Sequence, residues 1–155
     1  MEIKIKDKVV LIDDADKEIY EENKFYINKN SKGYESVRIY KGKNAKKQFA
    51  TVLFGEYDKK LEIDHINGNR LDNRRSNLRL CTHAENMRNI RIQKNNTSGY
   101  KGVSYYTKIK KWVASCEING KRYKKQFNDK NDAARFYNEM SIKFYGEYGY
   151  INVIK

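Results

Sequence analysis

The sequence predicts an α+β fold made of small modules. We expect a small N-terminal antiparallel sheet, a central strand–loop–strand–helix segment, and a C-terminal three-stranded antiparallel sheet packed on one helix. Only 39% of the 155 residues are apolar and 34% are charged, so a single large core is not expected. Short alternating runs separated by polar, glycine-containing turns indicate strands, and one amphipathic pattern near the C-terminus indicates a helix.

The first sixty residues are typical of a small antiparallel sheet. Four short runs, KVVLID, KFYIN, YESVRIY and QFATVLF, are rich in strand-forming residues and are separated by polar turns. An acidic patch from Asp13 to Glu22 predicts a turn and a short helix. On a protein that binds a polyanion, this patch is expected to face away from the phosphates.

Residues 61–95 are expected to form strand, loop, strand and helix in that order. LEIDHI and LRLCT are the strand-like runs, and Asn67-Gly68 is a strong turn dipeptide between them. Thr82 followed by Glu85 is a capping-box pattern, in which each side chain bonds a free backbone N–H at the start of a helix. The helix is predicted from His83 to about Gln93.

The C-terminal part begins after the polar linker QKNNTSG. YKGVSYY, WVASCEI and KRYKKQF predict three strands, and Asn119-Gly120 predicts a tight hairpin between the last two. Apolar residues spaced by three and four predict a final helix from about Asp132 to Phe144. We therefore expect one domain over residues 1–95, with its core at 61–95, and a second over residues 96–155.

The charge points to a polyanionic partner. Thirty-three Lys and Arg against 20 Asp and Glu give a net charge of +13, which favours nucleic acid or an anionic membrane surface. The membrane is the weaker option, because no apolar run has the length of a spanning helix. The charged N-terminus does not resemble a signal peptide, so a cytoplasmic, bacterial or phage-encoded protein is expected. Cys81 and Cys116 are expected to be small buried hydrophobes.

Four residues of the central segment have the chemistry of phosphodiester hydrolysis. Asp64 and His65 end the first strand, Asn77 precedes the second strand, and Asn86 lies in the first turn of the helix. Hydrolysis needs a base for water and a cation for the charge that develops. A histidine is mostly neutral at pH 7 and can accept a proton, whereas carboxylate and amide oxygens suit Mg²⁺.

The string DHINGNRLDNRRSNLRLCTHAEN resembles the HNH family of endonucleases with its ββα-metal fold, and in particular the phage-type homing endonucleases. The resemblance implies that His65 is the general base and that Asp64 and Asn86 bind one divalent cation, Mg²⁺ or Mn²⁺. It implies that Asn77 holds the loop and orients His65 through a hydrogen bond. Many relatives end the motif in His, so His83 is left open as a further ligand. The cysteine pairs that bind structural zinc in some relatives are absent from this sequence.

Residues 97–152 resemble the Apetala-two, or ethylene-response-factor, DNA-binding domain. The resemblance rests on Tyr100-Lys101-Gly102-Val103, on Lys111-Trp112-Val113-Ala114 and on the helix that begins near Asp132. It implies that the exposed sheet face lies on double-stranded DNA. The residues expected to contact DNA, including arginines of the nuclease segment, are Arg74, Arg75, Arg88, Arg91, Lys101, Ser104, Tyr106, Lys111, Ser115, Lys121, Tyr123 and Lys125.

The sequence thus predicts a metal-dependent endonuclease of duplex DNA. One base and one cation per chain would cut one strand, so a double-strand cut would need a homodimer or two successive nicks by a monomer. A DNA-binding regulator with a degenerate nuclease module is the alternative from another class, and an RNA-directed or structure-specific nuclease is a third. The intact set of Asp64, His65, Asn77 and Asn86 argues against the regulator.

Overall fold

Short antiparallel strand pairs make up most of the regular structure, and each strand pairs with a neighbour along the chain. The computed structural model describes residues 1–31, 33–41, 45–93, 95–118 and 120–155. The chain divides into two units, Met1–His83 and Ala84–Lys155. The boundary expected after residue 95 therefore lies inside the second unit.

The first unit contains three small sheets and two short helices. Strands β1 and β2 form a hairpin, β3, β4 and β5 form a three-stranded sheet, and β6 pairs with β7. All of these pairings are antiparallel. The elements are β1 (Glu2–Ile5), β2 (Lys8–Leu11), α1 (Lys17–Glu21), β3 (Phe25–Lys29), β4 (Glu35–Lys41), β5 (Ala45–Gln48), α2 (Phe49–Phe54), β6 (Glu62–His65) and β7 (Leu78–Cys81).

Two expectations for the first sixty residues have opposite outcomes. The acidic patch forms a 3-10 turn and then α1, as predicted. The run QFATVLF was expected to be a strand, and this prediction is wrong, because Phe49–Phe54 is helical. Phe49, Ala50 and Leu53 are the buried residues of α2. Counted from Phe49, they occupy positions i, i+1 and i+4, which lie on one face of a helix. The packing of this face overrides the strand preference of the local composition.

One core joins the hairpin, the three-stranded sheet and α2. Val10, Ile12, Val37 and Phe49 are almost completely removed from solvent at its centre. Leu78 of β7 belongs to the same core. Within the first unit, the β6–β7 segment is therefore packed on the N-terminal elements.

The second unit contains a three-stranded sheet and a long helix. Its elements are β8 (Val103–Tyr106), β9 (Lys111–Ile118), β10 (Lys121–Phe127) and α4 (Lys130–Tyr145). The order β10-β9-β8 is antiparallel throughout. Asp129 caps α4 by accepting hydrogen bonds from the backbone N–H groups of Asn131 and Asp132. Lys94 of the predicted linker and Asn119 of the predicted turn lie outside the described residues.

Small residues allow α4 to lie close to the sheet. Ala114 of β9 packs against Ala133 and Ala134 of the helix. Gly102 has a φ of +71°, and a Cβ at this position would lie 2.2 Å from the ring of Tyr137. A larger residue here would push the helix away from the sheet.

Helix α3 (His83–Arg88) crosses the boundary between the units. It starts where the sequence predicts but ends five residues before Gln93. Among the described residues, no helix has both the length and the apolar character needed to span a bilayer.

Candidate active site and nucleic-acid interface

The end of β6 carries the central pair of residues. Asp64 and His65 are only 7% and 6% exposed. The strand stops at His65 because Gly68, with a φ of +66°, turns the chain and donates its N–H to the His65 carbonyl at 2.6 Å. The turn predicted from Asn67-Gly68 is thus confirmed, and it places the imidazole at the end of the strand.

The His65 ring is held by an asparagine of the following loop. Its Nε2 lies 3.3 Å from Oδ1 of Asn73, and the contact is buried. Burial lowers the pKa of His65 below its usual value of 6.5, and the charge of Arg70 lowers this pKa further. His65 is therefore neutral at pH 7, which is the state a general base requires.

Asn77 organises the loop. Its Oδ1 accepts a hydrogen bond from the backbone N–H of Asn67 at 2.9 Å, and its Nδ2 donates to the Asp72 carbonyl at 2.8 Å. The predicted hydrogen bond from Asn77 to His65 is wrong. Both polar atoms of the Asn77 side chain bond to the loop backbone, and the asparagine that contacts the His65 ring is Asn73. Asn77 is 7% exposed, and its two bonds close the loop from both ends.

The same loop is attached to the N-terminal hairpin. Leu11 of β2 donates its N–H to the Leu71 carbonyl at 2.9 Å and accepts from the N–H of Asn73 at 2.8 Å. The two neighbours of Asn73 along the chain also bind each other. The Arg74 guanidinium donates to the Asp72 carboxylate through Nε at 2.8 Å and Nη2 at 2.7 Å. These hydrogen bonds lower the pKa of Asp72 below its usual range. The backbone on both sides of Asn73 is therefore fixed.

Arg75 is a second attachment between the loop and the N-terminus. Its guanidinium lies 2.7 Å from Asp16 Oδ1 and also donates to the Leu53 carbonyl at 3.1 Å. Its backbone N–H donates to Asp13 at 2.7 Å. Arg74 and Arg75 were expected to contact DNA, but the structure engages both in ion pairs within the chain. Part of the acidic patch serves to neutralise one of these arginines.

Asp64 is paired with an arginine of the opposite strand. Asp64 and Arg79 are direct partners in the β6–β7 register. Both Nε and Nη2 of Arg79 donate to Asp64 Oδ2, at 3.0 and 2.7 Å. Because a carboxylate has two oxygens and about four lone pairs, this ion pair and a bound cation are compatible on one side chain. The pair fixes the direction of the carboxylate and offsets its charge.

The remaining predicted ligands lie on α3. Asn86 is half-buried and belongs to the second unit. His83 is an exposed residue whose Nδ1 lies 2.8 Å from Glu62 Oε1. Within the described part of the chain, no three His, Cys, Asp or Glu side chains are clustered so as to hold a metal. Mg²⁺ is commonly held by one or two carboxylates with phosphates and waters, so the carboxylate of Asp64 is a donor of the kind that fits it.

The C-terminal sheet has one face against α4 and one open face. Phe127 packs in the helix-side core, so the alternate residues Lys125, Tyr123 and Lys121 share that side. Tyr123 stacks on Phe144 of α4 at 6.2 Å. We expected Lys121, Tyr123 and Lys125 on the open face, and this expectation is wrong. The two faces of β10 are the reverse of the predicted ones, as if the strand were shifted by one residue. Pairing across the strands gives the open face as Ser104, Tyr106, Lys111, Val113, Ser115, Glu117, Arg122, Lys124 and Gln126.

Lys101 also differs from its expected role. Its Nζ donates to the carbonyls of Arg88 and Ile90, at 2.6 and 2.7 Å, at the C-terminal end of α3. Burial lowers the pKa of Lys101 to about 8. Lys101 is thus a cap for α3 and is not placed to contact DNA. Arg88 lies with its guanidinium 4.8 Å from the centre of the Tyr145 ring, and Arg91 is exposed beyond the helix.

Two residues gained importance only in the structure, Asn73, which contacts His65, and Arg79, which contacts Asp64. The pairing of β10 with β9 also places Arg122 and Lys124 on the open face. For β10, the apolar Phe127 was the available signal of which face is buried. Every second residue before it must lie on the same side of the sheet as Phe127. Asn73 had no such signal, since it is one of several asparagines in a polar loop.

Comparison with known proteins agrees with the geometry of the first unit. A family model described as HNH endonuclease matches residues 50–88, which include Asp64, His65, Asn77 and Asn86. Protein 3.8 of Escherichia phage T7 is 35% identical over 86 residues, which are 56% of this chain and 71% of that protein. An HNH endonuclease of Acanthamoeba polyphaga mimivirus, described as uncharacterised, is 32% identical over 107 residues, 68% of this chain and 54% of that protein. No solved structure matches. With this motif at the end of β6 and these phage and viral relatives, residues 50–88 are an HNH endonuclease domain and the chain is a nuclease.

Proposed function

We propose that the chain is a divalent-metal-dependent endonuclease that hydrolyses phosphodiester bonds of duplex DNA, with His65 as its general base. The observation that carries the proposal is the state of the imidazole. It is buried at a strand end, its Nε2 lies against Asn73, and burial keeps its pKa below the usual value. A neutral imidazole held in one orientation can accept a proton from water without first losing one.

The proton and the bonds are accounted for as follows. The imidazole of His65 takes a proton from a water molecule, and the water oxygen forms a bond to phosphorus. The bond from phosphorus to the leaving oxygen breaks, and the resulting imidazolium releases its proton to solvent afterwards. Asp64 and, by the family resemblance, Asn86 would hold the divalent cation. A cation held there would neutralise charge on the phosphate and on the leaving oxygen.

Arg79 has a defined part in this scheme. The Asp64 carboxylate is nearly buried, and a single buried charge is costly unless it is compensated. Arg79 supplies the compensation with two hydrogen bonds to one oxygen. The carboxylate that would hold a cation is therefore oriented by Arg79.

The open face of the C-terminal sheet is the proposed DNA-binding surface. Lys111, Arg122 and Lys124 supply positive charge there, and Tyr106, which is 46% exposed, supplies an aromatic ring. Residues 96–155 carry twelve Lys and Arg against five Asp and Glu, a net charge of +7. Lysine and arginine contacts to phosphates give affinity that depends strongly on salt.

Cleavage of supercoiled plasmid tests the proposal. We expect Mg²⁺ to support conversion to open-circular or linear DNA and EDTA to abolish it. His65→Ala should lose about 10²–10⁴-fold in rate while keeping its affinity for DNA. The other histidine provides the matched control, since His83→Ala changes an exposed imidazole that pairs with Glu62 and should keep most of the activity.

The product distribution of the same assay separates the modes of cutting. Open-circular product alone means single-strand nicking by one site, whereas linear product that appears early and grows with protein concentration means a homodimer. A His65→Ala protein that cleaves within threefold of the wild type would refute the assignment of the base.

A further inference from the structure

The open face of the C-terminal sheet carries an apolar depression. Its volume is about 550 Å³, and its lining includes Tyr106, Ile109 and Val113 together with Lys124 and Gln126. Strand pairing places Val113 on this face, directly opposite Gln126 of β10. Apart from Val113 and Tyr106, the strand residues of the open face are all polar or charged. The depression is therefore a local apolar site on a polar surface.

Ile109 forms one wall of the depression without belonging to a core. It lies in the turn between β8 and β9, flanked by Lys108 and Lys110, and is 45% exposed. Among the described residues, it is in neither apolar cluster of the second unit. Single exposed apolar side chains are common on protein surfaces. This one shares a concave site with Tyr106 and Val113, and a concave apolar site with a few polar groups is the usual form of a binding site.

Gln126 supplies the polar group of the site. Its side chain is exposed and has no hydrogen-bond partner within the described ranges of the chain. Directly opposite residues of an antiparallel pair have their Cβ atoms about 4.5–5.5 Å apart, so the amide lies beside Val113. A glutamine amide donates one hydrogen bond and accepts another, which matches N7 and the N6 amino group on the major-groove edge of adenine.

We propose that the depression reads an A·T base pair, with Gln126 bonded to the adenine and the 5-methyl group of the thymine seated against Ile109, Tyr106 and Val113. This inference rests on the proposed function, because it names the base pair that the DNA-binding face prefers. The thymine methyl group is accessible only in the major groove, which admits a two-stranded β-ribbon. The hairpin of β9 and β10 is a ribbon of this kind.

The charge around the depression favours DNA as its occupant. Lys124 belongs to the lining, and Lys108 and Lys110 flank Ile109 in the turn. In the part of the chain that the structure describes, these three lysines form no ion pair with a carboxylate. Lysines bind phosphates, whereas the centres of protein–protein interfaces are depleted in lysine. An apolar centre with lysines around it matches a base edge between two phosphate backbones.

Binding of the full chain to defined duplexes tests the inference, at one salt concentration and with EDTA present to prevent cleavage. The first probe is a duplex of alternating dA and dT. The second has dU in place of dT and so lacks only the methyl group, and the wild type should bind it about fourfold less tightly, the value of one buried methyl group. The third has 7-deaza-adenine, which lacks N7, and should be bound about fivefold less tightly because the adenine contact is no longer bidentate.

Three variants assign these losses to residues. Ile109→Ser should bind the dT and dU duplexes equally, and it should keep the wild-type melting temperature because Ile109 is outside the core. Ile142→Ser is the matched control, since Ile142 is an exposed isoleucine of α4 outside the depression, and it should keep the fourfold preference. Gln126→Ala should lose the sensitivity to N7 and keep the preference for the methyl group. Changes in DNA shape caused by dU act on every variant alike, so a difference between Ile109→Ser and its control reports a direct contact.

The possible outcomes separate this inference from the proposed function. Equal binding of the dT and dU duplexes by the wild type would overturn the inference, as would an Ile109→Ser variant that keeps the preference. A 5-methylcytosine pair offers the same methyl group beside guanine, so a wild type that is insensitive to 7-deaza-adenine would overturn the assignment to an A·T pair. A chain that has both preferences but cleaves no DNA with Mg²⁺ would instead refute the proposed function and leave this inference standing.

Discussion

Replacing Asp64 should destabilise the first unit as well as remove a proposed metal ligand. The side chains of Asp64 and Arg79 are 8% and 10% exposed, and they are joined by two hydrogen bonds. Asp64→Ala leaves the guanidinium buried without its carboxylate. Removing one partner of a buried ion pair costs about 3–5 kcal/mol, because the remaining charge keeps its desolvation penalty. We expect a loss in the free energy of unfolding near this range.

A double-mutant cycle measures the effect. Urea unfolding followed by circular dichroism would give the free energy of unfolding of Asp64→Ala, of Arg79→Leu and of the double variant. The double variant removes both charges, so it should recover about 1–4 kcal/mol relative to Asp64→Ala. The exposed pair Arg122–Glu117 serves as the control, and Glu117→Ala should cost less than about 1 kcal/mol.

Two results would refute this reasoning. The first is a loss of less than about 1 kcal/mol in Asp64→Ala, which would show that the pair is as weak as an exposed one. The second is a double variant in which the two single losses simply add, which would show that the side chains do not interact. If the reasoning holds, loss of cleavage in Asp64→Ala does not demonstrate metal binding, and Asp64→Asn, which keeps an acceptor for Arg79, is the better variant.

Four further predictions follow from the geometry. Asn77→Ala leaves the Asn67 N–H and the Asp72 carbonyl without their partner and should cost about 1–3 kcal/mol for each group that stays unsatisfied, measured by urea unfolding. The folded-state pKa of His65 lies below 6.5, so cleavage should persist below pH 6.5 and then fall, and the stability contributed by this group should be lost as pH falls from 6.5 through that pKa. Lys101→Met removes the cap of α3 and should speed amide exchange in that helix, compared with unchanged exchange in α4. Lys124→Ser should flatten the slope of log affinity against log salt by about 0.9, one phosphate contact, whereas Lys125→Ser on the helix side should change it less.

The features that sequence predicted well are set by local chemistry. Asn67-Gly68 forms its turn because glycine adopts the positive φ that the backbone needs there. The amphipathic pattern of α4 is long enough for its period to be read directly, and Asp129 caps the helix through the neighbouring backbone N–H groups. In each case the decisive interactions lie within a few residues along the chain.

The features that sequence missed depend on contacts between distant segments. In β10 the residues before Phe127 are nearly all polar, so their own pattern does not distinguish the two faces of the sheet, and pairing with β9 decides. Asn73 becomes the partner of His65 because Leu11, far away in sequence, fixes its backbone. Helix α2 shows the reverse case, in which a run with strand-like composition is helical because Phe49 and Leu53 pack into one core.

The hydrogen bonds between Leu11 and the active-site loop bear on how small a working nuclease could be made. The family match begins at residue 50, which invites excision of residues 50–88 as a minimal enzyme. Such a peptide would lack the strand edge that holds Leu71 and Asn73 and the carboxylates that bind Arg75. We expect the excised piece to be a poor folder that recovers its structure when residues 1–22 are supplied as a separate peptide. The catalytic segment and its N-terminal neighbour would then behave as two halves of a split enzyme.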